Sequence, residues 1–383
     1  MDFKGYLQND VLDFWLRRAI DEEEGGIFTC LDRKGEVYGT EKSVWFQGRA
    51  LYTFSKAYNV IDKNDKYLRA AKKIYDFLPK CTDSDGRMFF TVTRLGEPIQ
   101  KRRYYFSETF AAIGCAEYYR ATGNAEALAR AERYFEVARS CFEDPSRNTP
   151  KYYTRAKALS PVMIMLSTAR TMAACSPEPV KYEAFAKSCL NEILHGGYIS
   201  DEVSAMLESV SSDGEFVNTP SGRTVNPGHS LEAAWFIMVE GLLGNNSEAL
   251  SAAKKIIDMT MPLGLDRKHG GIIAFTDALG KPATALEWDM KLWWPQNEAI
   301  IANRMAYEIF GEEKYREQYE SLLDYAFANF ADREHGEWYG YLHYDNTPSS
   351  ELKGNIFKGP FHLPRMLMLL QLTDKGRMLD FFR

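Results

Sequence analysis

Apolar residues along this chain recur with the 3.6-residue period of an amphipathic helix. Ala125 to Phe142 sets Leu128, Tyr134, Phe135, Ala138, Cys141 and Phe142 on one stripe, and Ser321 to Phe330 does the same with Leu322, Leu323, Ala326, Phe327 and Phe330. No stretch alternates apolar and polar residues for long enough to build a large sheet. Between the helical stretches stands a recurring phrase: an Asp, a few polar residues, usually one or two Gly, then two to four apolar residues. It begins at Asp21, Asp83, Asp144, Asp213, Asp266 and Asp332, and the Asp144 copy lacks Gly. The first and last copies are 311 residues apart across five intervals, about 62 each. That period is too long for tetratricopeptide or HEAT units and suits two helices plus a loop. Gly followed by apolar residues is turn-and-short-strand chemistry.

Six copies with two helices each predict twelve helices. One helix pair leaves a face unburied, whereas six pairs can close into a ring. The expected fold is therefore all-α, an (α/α)6 barrel of six inner and six outer helices with short β-hairpin loops, in one domain over residues 1–383. An open solenoid of helix pairs is the alternative. Length alone, 383 residues, gives two or three domains; the repeat replaces that count with one.

The six predicted inner-helix starts carry the chemistry. They read Trp45-Phe-Gln-Gly-Arg49, Tyr105-Phe-Ser-Glu108, Ala158-Leu-Ser-Pro161, Asn226-Pro-Gly-His229-Ser-Leu-Glu232, Trp293-Trp-Pro-Gln-Asn-Glu298 and Gly359-Pro-Phe-His362-Leu-Pro-Arg365. Pro near a helix start costs nothing, since its fixed φ and missing N–H suit that position. In a barrel these starts converge on one mouth, which then gathers Arg, His, Glu and Trp as small-molecule sites do. Of six histidines, His269 and His335 sit before Gly in the Asp phrases and read as turn residues. His195 reads as structural, and His343 fits neither class. His229 and His362 stand at matched helix starts and are the acid/base candidates. His229 and Glu232, three apart on a helix, are expected neighbours. That pair is also a weak metal pattern, with no further ligand spaced to join it. Arg49 offers a fork for an oxygen that develops charge. Glu298 stands behind Trp293 and Trp294, a platform for a sugar face.

Two histidines with an arginine suit proton abstraction beside a carbonyl. Two carboxylates, Glu232 or Glu108 with Glu298, would suit glycoside hydrolysis instead. Aromatic residues make up 14% of the chain, with 7 Trp, 22 Tyr and 23 Phe; part of that excess is assigned to a ring-lined pocket and the rest to packing. A formal net charge of −6, with no long basic run, argues against a nucleic-acid backbone or an anionic membrane as partner. There is no secretory pattern and no long apolar span. The six scattered cysteines read as reduced thiols in the cytoplasm.

These motifs, with Leu286-Glu-Trp-Asp-Met-Lys291 and Gly336-Glu-Trp-Tyr-Gly-Tyr341, resemble the N-acylglucosamine 2-epimerase family over nearly the whole chain. The resemblance implies an (α/α)6 barrel and reversible inversion at C2 between N-acetylglucosamine and N-acetylmannosamine. It implies His229 and His362 as the acid/base pair, supported by Arg49 and Glu298. Glu232 would orient His229, and Trp45, Trp235, Trp294, Glu108 and Lys291 would bind or frame the sugar. A homodimer is implied, and ATP as an effector rather than a reactant; the sequence carries no phosphate-binding motif and no cofactor is required for the chemistry. Gln296 stands where many members have His, which is expected to alter polar contacts at the mouth. Ser160 to Leu166 lacks the His that cellobiose 2-epimerases carry there, which favours the N-acetylhexosamine branch over unsubstituted mannose, glucose or cellobiose.

Overall fold

The computed structural model describes residues 1–101, 105–147 and 156–383. Among these residues, twelve helices form an (α/α)6 barrel. The inner ring is Val44–Val60, Phe106–Thr122, Leu159–Cys175, Pro227–Gly244, Trp293–Phe310 and His362–Thr373. The outer ring is residues 3–18, then Asp65–Phe77, Ala125–Glu143, Val180–His195, Ser247–Gly264 and Glu313–Asn329. Outer helices bury one stripe, as their periodicity requires. Inner helices are enclosed nearly all round: the fourth is buried at almost every position from Pro227 to Gly241.

Connections differ at the two ends of the barrel. Inner-to-outer turns are tight. Gly123 (φ 71°), Asn245 (φ 49°) and Gly311 (φ 66°) end inner helices in the left-handed region. Asn64, Asn124 and Asn246 then cap the next outer helix by accepting a backbone N–H. Outer-to-inner connections are long, carry the two- and three-stranded sheets, and gather at the end where the inner helices begin. Functional side chains at inner-helix starts are thereby collected at one mouth.

The Asp phrases resolve into more than one structure. At Asp21, Asp266 and Asp332 the Asp N–H bonds the carbonyl five residues on, at Gly26, Gly271 and Glu337. Each of these carboxylates meets a buried lysine: Asp21 with Lys42 at 2.9 Å, Asp266 with Lys291 at 2.7 Å, Asp332 with Lys353 at 3.1 Å. Asp83 forms a tighter turn in which its N–H donates to the Arg87 carbonyl and its own carbonyl accepts Gly86 N–H, and Lys101 pairs with it at the surface. The expected fourth copy is misplaced. Asp213 lies in a hairpin turn from Ser211 to Glu215, and the fourth outer helix ends instead at Gly196–Gly197, where Glu192 takes the place of the Asp and its carbonyl accepts Gly196 N–H. Beyond Arg147 the Asp144 copy lies outside the described residues.

The ring closes by docking the first outer helix on the last loop and helix. Lys4 N donates to Gln371 Oε1 (3.1 Å), Trp15 Nε1 to Glu337 Oε2 (2.7 Å) and Trp338 Nε1 to Tyr6 OH (3.1 Å). A wide π turn over Leu7–Leu12 lies in this helix, and there the Asp10 carbonyl accepts Glu337 N–H. Leu31 and Gly354 add a strand-like bridge between the same ends. Among the described residues, no helix is long and apolar enough to cross a membrane, and the six cysteines are buried and form no disulfide.

Candidate active site

A cavity of about 630 Å³ opens at the mouth, lined by residues from all six inner helices and their approach loops. Its size is typical of small-molecule sites. His229, His362, Arg49, Glu232, Trp45 and Trp294, all singled out from the sequence, line it. The Trp294 ring packs against both histidines, with centroids 5.1 Å from His229 and 5.8 Å from His362. Gly228 is what lets it sit there: a Cβ at that position would lie 2.6 Å from the indole.

Each imidazole is held by a carboxylate, and the two holders differ. His362 is buried, and its Nδ1 lies 2.7 Å from Glu298 Oε1. A carboxylate accepts, and this contact is shorter than the 3.3 Å approach of Arg365 Nη2 to the same nitrogen, so the hydrogen is assigned to Nδ1 and Nε2 is the free nitrogen. Glu298 is also bonded by Arg365 Nη2 (2.7 Å) and Trp235 Nε1 (2.8 Å). Burial raises the Glu298 carboxyl above its usual range against these donors. Burial, then the Arg365 charge, holds His362 well below 6.5 and therefore neutral. His229 is half-buried, and its Nδ1 meets both oxygens of Glu208 at 3.1 and 3.0 Å. Burial disfavours its cation, but Glu208, then Glu232 and Glu298, outweigh it and raise His229 above 6.5. One imidazole is thus poised to take a proton and the other to give one.

Arg49 lies in an aromatic cage, its guanidinium 4.1 Å from the Phe110 ring, 5.1 Å from Phe361 and 5.6 Å from Trp45. Burial lowers it to about 10, so it stays charged near neutrality. Nη1 donates to the Phe357 carbonyl at 3.3 Å, and Nε has no partner. That leaves donors for a substrate oxygen.

Several expectations are corrected. Glu232 does not orient His229: it bonds Arg365 Nη2 at 2.6 Å, because that cation lies across the barrel axis while Glu208 reaches the imidazole from a loop. Arg365 Nη2 also fills the gap between Glu232 and Glu298. The carboxylates expected to flank a glycosidic bond therefore share one guanidinium nitrogen. Glu232, Glu298 and His362 present atoms within 4.8 Å of one another, and the Arg365 guanidinium already occupies the place of a cation between the two carboxylates. Glu108 lies outside the cavity lining, fully buried, accepting from Arg87 Nε (2.6 Å) and Met88 N (2.9 Å). Lys291 turns away into its Asp266 pair, with Tyr344 O and Asn346 Oδ1 as further acceptors. Trp235 lies beneath the cavity, under Arg365. Gln296 does not touch the mouth: its amide clamps Ile272 N and O, each at 2.8 Å, as Gln47 clamps Ile27. His269 packs edge-on to Tyr344 in a turn, as a structural histidine. Sequence reasoning missed Glu208 and Arg365. Arg365 shares its Pro-marked helix start with His362, which was the available signal; Glu208 has none, lying 21 residues before its partner.

The N-acylglucosamine 2-epimerase (GlcNAc 2-epimerase) family model matches residues 26–359. N-acylglucosamine 2-epimerase of Bos taurus is 34% identical over 94% of this chain and 88% of its own length. Cellobiose 2-epimerase of Ruminococcus albus is 27% identical over 94% and 95%. The structure of cellobiose 2-epimerase from Bacillus thermoamylovorans superposes with a TM-score of 0.84 at 22% identity, covering 96% of this chain and 97% of that one; that likeness is one of fold. With a matching family model over most of its length and the paired histidines at one barrel mouth, the chain belongs to the N-acylglucosamine 2-epimerase family.

Proposed function

We propose that the protein interconverts N-acetyl-D-glucosamine and N-acetyl-D-mannosamine by removing and returning the C2 proton of the open-chain sugar. The observation that carries this reading is the pair of imidazoles packed against Trp294, each held by its own carboxylate and shifted in opposite directions, within one cavity that also holds Arg49. In the open chain C2–H lies next to the C1 aldehyde. Neutral His362 takes that proton through Nε2, and the C–H electrons form the C1–C2 double bond as charge moves to the C1 oxygen. Arg49 stabilises that oxyanion. Protonated His229 returns a proton to the opposite face of C2, which inverts the centre. In the reverse direction the two histidines exchange roles. The relatives named for N-acylglucosamine support the amino-sugar substrate.

The test is to incubate the protein with N-acetylmannosamine in deuterated water and follow C2 by NMR. N-acetylglucosamine with deuterium at C2 is expected, and the rate should survive chelation. Absence of product, with mannose converted to fructose instead, would move the assignment to an aldose–ketose isomerase that returns the proton to C1. A cytoplasmic location, a homodimer and ATP as an effector belong to the same reading. Six buried thiols with no disulfide among them suit a reducing compartment, and light scattering with and without ATP checks the other two.

A further inference from the structure

We propose that Glu208, on the loop between the third and fourth inner helices, is the positioning residue that makes His229 the acid half of the pair. This rests on the proton-transfer reading above. Three observations carry it. Both Glu208 oxygens lie within 3.1 Å of His229 Nδ1, so the ring is held with Nε2 as its free nitrogen. The loop is fixed on both sides: Leu159 N donates to the Glu208 carbonyl (3.0 Å), Glu208 N to the Thr224 carbonyl (3.3 Å), and Ser209 and Val210 pair with Ala158 and Lys157. Met206 and Leu207 beside it are fully buried. Among the described residues, no ion pair to Glu208 other than that of His229 is formed. Its negative charge is therefore undiluted, whereas Glu298 behind His362 shares its charge with Arg365.

The other charged or titratable groups that line this cavity or act on His229 are Glu232 on its own helix, Glu287 and Tyr341 from approach loops, Glu298 from the fifth inner helix, His362 and Arg365 from the sixth, and Arg49 from the first. Glu232 and Glu298 share Arg365 and act on His229 from a distance, so Glu208 is the carboxylate that bonds the His229 ring itself. The family motifs placed that duty on Glu232, three residues along the helix; the geometry moves it to a different element.

A histidine-resolved NMR titration, with H229A identifying the signal, tests this without reference to turnover. In Glu208→Gln the His229 pKa should fall by about one unit or more, the scale of losing one adjacent carboxylate. In turnover the same variant should lose about tenfold or more in kcat with KM within about twofold, since the lost interaction matters when the proton moves. Its alkaline limb should shift to lower pH, and Glu208→Asp should recover part of both. An unchanged His229 titration and an unchanged pH profile in Glu208→Gln would overturn the proposal. Should that variant not fold, Glu208→Asp decides alone: its longer contact must lower the His229 pKa, and a wild-type value refutes the hold. A wild-type protein that leaves N-acetylmannosamine untouched would sink the functional reading, while the titration still decides what Glu208 does to His229.

Discussion

His362 and His229 start from the same side chain and are shifted in opposite directions, and the difference lies in what surrounds each. Burial and the Arg365 cation hold His362 below 6.5, while Glu208 lifts His229 above it. The productive form, His362 neutral and His229 protonated, is therefore populated between the two values. As pH falls through the lowered value His362 gains a proton and the base is lost; as pH rises through the raised value His229 loses the acid proton. The expected kcat/KM profile is a bell with one limb on each side of 6.5. A single limb, or two limbs on one side, would contradict the assignment. Arg49→Lys keeps the charge but loses the fork, and with it about 2–4 kcal/mol of oxyanion stabilisation, the usual worth of one such donor. A fall in kcat of about 10²–10³ is expected, read in the same assay, and full activity would remove Arg49 from the mechanism. At this scale the sequence was informative about which residues face the cavity and poor about which touch each other. Matched helix starts found His229, His362 and Arg49. Helical spacing paired His229 with Glu232, but neighbours on a helix surface need not choose each other when a cation and a loop carboxylate compete for them.

At the scale of elements, the Asp phrase proves to be a turn lock rather than a source of catalytic groups. Asp21, Asp266 and Asp332 each bind a lysine from the strand or loop that leads into an inner helix, so the turn fixes where that helix starts. Burial alone would raise these carboxyls. Hydrogen bonds from Arg94 and Lys42, from Lys291, and from Arg33 and Lys353 outweigh it and hold them below 3.8. Their stabilisation is therefore present above pH 3.8 and is lost as pH falls through the lowered values. Lys291→Met leaves Asp266 buried without its cation. The expected cost is roughly 3–5 kcal/mol, the range for removing one partner of a buried pair. Thermal unfolding should show it as a lower Tm, with kcat/KM of the folded variant within about threefold of wild type. Loss of activity at unchanged Tm would return Lys291 to the substrate. The resemblance drew Lys291 and Gln296 toward the mouth because they lie beside Trp293 and Trp294 in sequence. The chain direction at a strand-to-helix junction sends alternate side chains to opposite sides, and no one-dimensional pattern records that choice.

For the whole molecule, six phrases about 62 residues apart pointed to a closed ring, although one of them was counted at the wrong turn. The count survived because the helices between the phrases, rather than the phrases themselves, set the period. Closure itself left no mark in the sequence. It is made by residues more than 300 positions apart, with Trp15 donating to Glu337 and Tyr6 receiving from Trp338. An open stack of helix pairs would fray from its ends, since each repeat contacts only its neighbours. A closed ring has no ends and should unfold as one unit. Trp15→Phe keeps an aromatic ring but removes the indole N–H, leaving Glu337 Oε2 without its donor in a buried site at a cost of about 1–3 kcal/mol beyond the volume lost. In the ring this loss is felt everywhere: calorimetry should give one transition at a lower temperature, and hydrogen exchange should rise in the inner helices on both sides of the seam. If only residues 3–18 exchange faster while the remaining helices keep wild-type protection, the first helix is an appendage to an open array, and the barrel mouth owes nothing to the seam.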